Sequence, residues 1–143
     1  MMKKFEFLIG EWTMEYHVPK SSLSSAMGGT GRGVFKRALN DRYVYFDYQA
    51  QLELGSAMAH AVFVWDDKSK IYRYWWFEDS GSFMKATCNF VDDHTLILNW
   101  HDSLLIQSFE LQNQEEVIMR MEQAKNLKEN ELVLEVHFSK LQS

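Results

Sequence analysis

The chain has 143 residues with one proline, one cysteine and 21 aromatic side chains, a composition that fills a globular core and excludes disordered, collagen-like and low-complexity classes. Fifteen Lys and Arg against twenty Asp and Glu leave a formal charge of −5. With no basic run longer than two residues, that balance argues against general nucleic-acid or anionic-membrane binding. Cys88 stands alone, so no internal disulfide is expected. No apolar stretch approaches the ~20 residues of a spanning helix. Glu6 and Glu11 break up the apolar opening before it reaches the length of a signal peptide. A single cytoplasmic domain over residues 1–143 is the expectation.

In chain order, Met1 to Leu8 reads as a short helix or turn able to plug one end of a β-structure. From Trp12 to Val18 apolar residues alternate with Thr13, Glu15 and His17, the period of a strand with one apolar face. Pro19 to Gly33 carries five of its fifteen residues as Pro or Gly and is expected to be a flexible loop at a barrel mouth, its glycines allowing it to act as a lid. Its Gly28–Gly33 run lacks the Lys-Ser/Thr ending and the following helix of a phosphate loop. Strands then follow at Val34–Ala38, Tyr43–Leu52, Ala57–Trp65, Ile71–Phe77, Phe83–Phe90, Thr95–Trp100, Leu104–Leu111, Val117–Glu122 and Leu132–Phe138, with a helical turn at Ala124–Lys128. Short turn signals such as Asn40-Asp41 and Asp79-Ser80-Gly81 separate them. Such connections are too short for parallel crossovers, so sequential neighbours pair antiparallel. About ten strands in an up-and-down meander leave two open edges unless they close, and an all-β antiparallel barrel results.

Two stretches resemble a known family. Phe-Leu-Ile-Gly-Glu-Trp, from Phe7 to Trp12, resembles the Leu-x-Gly-x-Trp opening of lipocalin-like proteins. The run from Trp65 through Tyr72 and Trp76 to Asp79-Ser80-Gly81 is similar to a bacterial family of unknown function with a lipocalin-like, calycin-type barrel. The resemblance implies a closed barrel with a small apolar cavity and no established reaction. Gly10 then turns the chain into the first strand, and Trp12 plugs the barrel floor. Two departures stand out. Glu78 is an extra residue before the Asp-Ser-Gly turn, and the closing strand lacks a basic residue at its inward positions, which argues against a carboxylate-anchoring site.

The strand faces give the candidate ligand set. If Trp12 points inward, so do Met14 and Tyr16, and Phe138 lies on the apolar face of the last strand. In the strand 43–52, Val44, Phe46, Tyr48, Ala50 and Leu52 share one face and Tyr43, Tyr45 and Asp47 the other. The strand 71–77 is aromatic on both faces, Tyr72, Tyr74 and Trp76 against Arg73, Trp75 and Phe77. One of those faces is expected to line the interior and the other to meet a second subunit, which suggests a homodimer. His60 and Arg73 flank one turn and form a candidate polar anchor, with the solvated pair as the alternative. Small Ala57, Ala59 and Ala61 lie on the face opposite His60.

The remaining chemistry is sparse. None of the five histidines has metal-ligand spacing, and no metal is expected. Haem through His137 is disfavoured, because His137 alternates with Leu134, Val136 and Phe138 and so points away from an apolar interior. No nucleophile elbow or paired inward carboxylates appear, and no catalytic residue is assigned. The expected function is binding of a small, largely apolar molecule by Trp12, Met14, Tyr16, Phe46, His60, Arg73, Trp75 and Phe138, without a cofactor. The alternative is a filled-core barrel that acts through assembly of identical copies, and behind it a haem-binding or enzymatic barrel, since strands can bring distant residues such as His60, Arg73 and Glu122 together.

Overall fold

The computed structural model describes residues 1–101 and 103–141. Among them ten strands form a closed antiparallel barrel: β1 Gly10–Val18, β2 Met27–Ala38, β3 Tyr43–Leu52, β4 Gly55–Asp66, β5 Ile71–Glu78, β6 Phe83–Asp92, β7 Thr95–Trp100, β8 Leu105–Asn113, β9 Glu116–Ala124 and β10 Asn130–Lys140. Each strand pairs with its sequence neighbour, and β10 returns to β1 with Met14 opposite Phe138 and Tyr16 opposite Val136. The expected all-β up-and-down barrel is the observed fold. Closure leaves no unpaired edge strand, which is why a meander this aromatic avoids exposing a sticky ladder.

The N-terminal 3-10 helix, Met2–Leu8, seals one end. Met2, Phe5 and Leu8 are its buried residues, and their spacing of three matches the 3.0-residue repeat that puts one side of such a helix into the core. The Phe5 ring lies 5.0 Å from Phe63, 5.0 Å from Phe90 and 5.5 Å edge-on from Tyr72. Two hydrogen bonds hold the plug: Trp12 Nε1 donates to the Leu8 carbonyl at 2.8 Å, and the Tyr72 hydroxyl donates to the Met1 carbonyl at 2.6 Å. Gly10, at φ +139°, makes the sharp entry into β1 that residues with a Cβ rarely adopt. Above the plug, Phe35 stacks on Phe46 at 3.9 Å, and Phe109 and Phe138 close round them at 6.0–6.3 Å.

The loop expected over residues 19–33 is the main correction. β2 begins at Met27, and Gly28 to Gly33 are ladder residues paired to β1 on one side and, from Gly29 onward, to β3 on the other. Gly29, Gly31 and Gly33 occupy inward positions, where larger neighbours take the vacated volume. A Cβ on Gly31 would lie 2.5 Å from the Gln49 carbonyl oxygen and 3.1 Å from the Tyr16 ring; one on Gly33 would lie 2.6 Å from the Phe46 ring. The glycines permit close approach inside a strand and are not the hinge of a lid. Residues 125–129 also differ from the expected helical turn. Asn126 Oδ1 accepts from the amides of Lys128 and Glu129 at 2.8 and 2.9 Å, an Asx-type turn that competes with a helix.

Candidate functional site

Register decides which sequence candidates meet. Trp12, Met14, Tyr16, Phe46 and Phe138 all face the interior and are buried. Trp12 and Phe138 belong to its packed lower half, edge to face at 6.1 Å. His60, Arg73 and Trp75 face outward instead. In β4, Ala59, Ala61 and Phe63 point in, so His60 points out; in β5, the buried Tyr72 and Tyr74 send Arg73 and Trp75 to the outer wall. His60 and Arg73 do not meet: His60 sits opposite Phe77 and Arg73 opposite Val64, four strand positions or roughly 13 Å apart. Each has its own carboxylate, His60 Nδ1 at Asp47 and Arg73 Nε at Asp66, 2.7 Å. The Arg73 hydrogen bond holds the Asp66 carboxyl down to about 2. His137 is also on the outer wall, 2.6 Å from Glu135 and with its ring 5.0 Å from that of His17. Among the described residues, no three His, Cys, Asp or Glu side chains are arranged to hold a metal.

The inner surface near the open end is of a different kind. Its wall residues are small on one side, with Gly31, Ala50, Ala57, Ala59 and Ala61 on consecutive strands β2 to β4. Beside them on β3 and β5, and further round the barrel on β7 and β8, are side chains with polar tips. Trp76 Nε1 donates to the Tyr48 hydroxyl at 2.9 Å, and Trp100 Nε1 donates to Gln107 Oε1 at 3.1 Å. Tyr74 packs edge-on to Trp100 at 5.4 Å, and Tyr48 stacks on Phe46 at 4.7 Å. At the rim a hollow of about 410 Å³ is lined in part by the inward positions Val18, Met27, Ala50, Leu52 and Ala57.

The polar tips are the informative part. Tyr16 and Tyr74 are only 6% and 3% exposed, yet their hydroxyls hydrogen-bond to no described residue. Every fully enclosed side-chain nitrogen and oxygen among the described residues has a partner. These two hydroxyls therefore border space that a water molecule reaches, although the residues themselves lie inside the barrel. Burial raises the pKa of Tyr16, Tyr48 and Tyr74, with neighbouring phenols and, for Tyr48, Glu78 adding to the rise and the Trp76 hydrogen bond opposing it. All three hydroxyls stay protonated and remain donors. Cys88, on the same inner surface, is pushed up to about 12 by burial and is an inert thiol.

Strand positions facing the interior in this open half carry no Lys or Arg among the described residues, and Glu78, half-buried at the rim and bonded to Ser80 at 2.7 Å, is the nearby carboxylate. Tyr48, Tyr74, Trp76, Trp100 and Gln107 are thus interior groups absent from the candidate set drawn from sequence. The signal available was the charge on Arg73, which marks its own face of β5 as the wet one and assigns Tyr74 and Trp76 to the inside.

No family model matches the chain, and no curated protein matches it in sequence. Solved structures do match its fold. The S-type phycobiliprotein lyase CPES from Guillardia theta superposes with a TM-score of 0.68 at 9% identity, over 97% of this chain and 91% of that one. A de novo designed fluorescence-activating β-barrel gives a TM-score of 0.54 at 9% identity, over 99% and 100% of the two chains. EF1p2_mFAP2b bound to DFHBI gives 0.55 at 9% identity, over 99% of each. At such identity the likeness is one of fold.

Proposed function

We propose that the protein is a lipocalin-like binding barrel that takes a small, largely apolar molecule into its open end. The observation that carries this is the pair of interior hydroxyls, Tyr16 and Tyr74, which border accessible space beneath a 410 Å³ rim hollow while the opposite end is sealed by Phe5 and Trp12. That volume falls in the range of about 300–1,000 Å³ typical of small-molecule sites. The molecule passes Val18, Met27 and Leu52 and rests against Tyr16, Tyr48 and Trp76. The fold likeness to a designed fluorescence-activating barrel and to a barrel bound to DFHBI supports the reading, because the same scaffold there accommodates a guest. The test is titration of the purified chain with neutral aromatic dyes, followed by fluorescence, in parallel with Ala50→Trp, which fills the mouth. Saturable binding abolished by that substitution is the expected result; binding unaffected by it removes the open end as the site.

The outer wall favours a second role for a different surface. Phe77 and Phe83 are cross-strand partners, both exposed, and Met58 and Trp75 extend the same apolar strip. A strip of this kind suits association of two copies. Phe83→Glu converts a dimer seen in sedimentation equilibrium to a monomer; a wild-type chain that is monomeric at micromolar concentration excludes this role.

A further inference from the structure

Inside the open end, hydrogen-bond donors exceed the acceptors available to them. The hydroxyls of Tyr16 and Tyr74 have no partner among the described residues. The Tyr48 oxygen receives the Trp76 N–H at 2.9 Å, and its own proton has no acceptor among the described residues. Gln107 gives its carbonyl oxygen to Trp100, and its amide N–H groups likewise have no partner among the described residues. Water satisfies such donors in an empty barrel, and a guest that displaces that water must replace its hydrogen bonds or bind weakly.

We infer that the guest is a neutral, planar aromatic molecule bearing a carbonyl or comparable acceptor, received by the hydroxyls of Tyr16, Tyr48 and Tyr74. This rests on the open-end binding reading above and adds the chemistry of the occupant to it. Three considerations select that class. The unpartnered groups include O–H and N–H donors, so they reward an acceptor. A carboxylate or sulfonate is disfavoured because the inward strand positions of the open half carry no Lys or Arg among the described residues to neutralise it, Arg37 and Lys140 lying at the sealed end, and Glu78 at the rim carries the same sign of charge. A flat ring system is favoured because the open half presents the rings of Tyr48 and Trp76, both partly exposed, with Tyr48 stacked on Phe46 at ring planes 24° apart. Burial keeps the phenols protonated, so the donors persist throughout the neutral pH range.

The test uses the full chain and three naphthalene probes of similar size: 6-propionyl-2-(dimethylamino)naphthalene, its analogue with propyl in place of propionyl, and 1-anilinonaphthalene-8-sulfonate. The ketone is expected to bind at least tenfold tighter than the other two. Tyr16→Phe, Tyr48→Phe and Tyr74→Phe each lower ketone affinity about three- to tenfold, shift its bound emission to shorter wavelength, and leave the propyl analogue unchanged. Tyr72→Phe, whose hydroxyl is tied to the Met1 carbonyl at the sealed end, leaves ketone binding as in the wild type and controls for nonspecific loosening. Thermal melts confirm that each variant is folded. Ketone affinity unaltered in all three interior variants, or equal to that of the propyl analogue, overturns the acceptor inference while open-end binding stands. Tighter binding of the sulfonate overturns neutrality. If none of the probes binds, both the inference and the reading beneath it fail.

Discussion

At the sealed end Phe5, Leu8, Trp12 and Phe63 have no exposed surface, the rings of Phe5 and Phe63 lie 5.0 Å apart, Trp12 meets Phe138 at 6.1 Å, and the indole of Trp12 and the hydroxyl of Tyr72 are both hydrogen-bonded to backbone carbonyls. At the open end the same barrel wall carries glycine and alanine on β2 to β4, and the phenols of Tyr16 and Tyr74 have no hydrogen-bond partner among the described residues. The strands run continuously between them, so the difference lies in the helix that plugs one end and in the side chains that line the other. One end is built to satisfy itself, and the other leaves hydrogen bonds for something else to complete.

That contrast is open to direct attack. The largest effect is expected for Phe5→Ala, which empties the centre of the plug and costs about 3–5 kcal/mol in urea denaturation. A loss under about 1 kcal/mol shows instead that the plug contributes little. Next is Gly31→Ala, whose new methyl meets the Gln49 carbonyl oxygen at 2.5 Å and costs about 1–3 kcal/mol. Gly28→Ala has only the Tyr16 carbonyl at 3.6 Å for a neighbour and is expected to change stability by less than about 1 kcal/mol.

A sharper comparison uses one chemical change at both ends. Tyr72→Phe breaks the bond to Met1 and costs about 0.5–1.5 kcal/mol, whereas Tyr74→Phe removes an unpartnered hydroxyl and is neutral or mildly stabilising. Equal losses in the two melts erase the distinction. The smallest effect lies on the outer wall at low pH. Asp66 has its carboxyl lowered from 3.8 to about 2, so its contribution is complete above pH 3.8 and is lost as pH falls towards 2. Asp66→Asn lacks that contribution at neutral pH, and the gap between its acid-denaturation curve and the wild type's narrows across this window.

The barrel was legible because its physics is local. Alternation at Trp12–Val18 and in the paired runs up to Leu132–Phe138, with turns too short for crossovers, leaves an antiparallel meander and little else. The start of β2 was hidden because Gly28 to Gly33 carry no alternation; what makes them a strand is the bulk of Tyr16, Phe46 and Leu52 on neighbouring strands. The site was half legible. Tyr16 and Phe46 follow from the face that holds Trp12 and from the apolar side of residues 43–52. In β5, aromatic residues on both faces obscured which set lines the cavity; the charge on Arg73 was the one hint in the sequence, and the register with Ala61, Phe63 and Ala86 resolves it in favour of Tyr74 and Trp76.

The β1–β10 seam bears on how the chain reaches this state. Thr13 Oγ1 donates to the Ser139 carbonyl across 126 residues of sequence, and Trp12 pairs with Lys140. A nascent chain can build the hairpins from β1 through β9 as they emerge, but it cannot join the two sides of the cylinder until its last strand has been synthesised. Until then β1 and β9 are both free edges, so barrel closure waits for the last strand, and free edges of this kind are open to pairing with other copies in the interval.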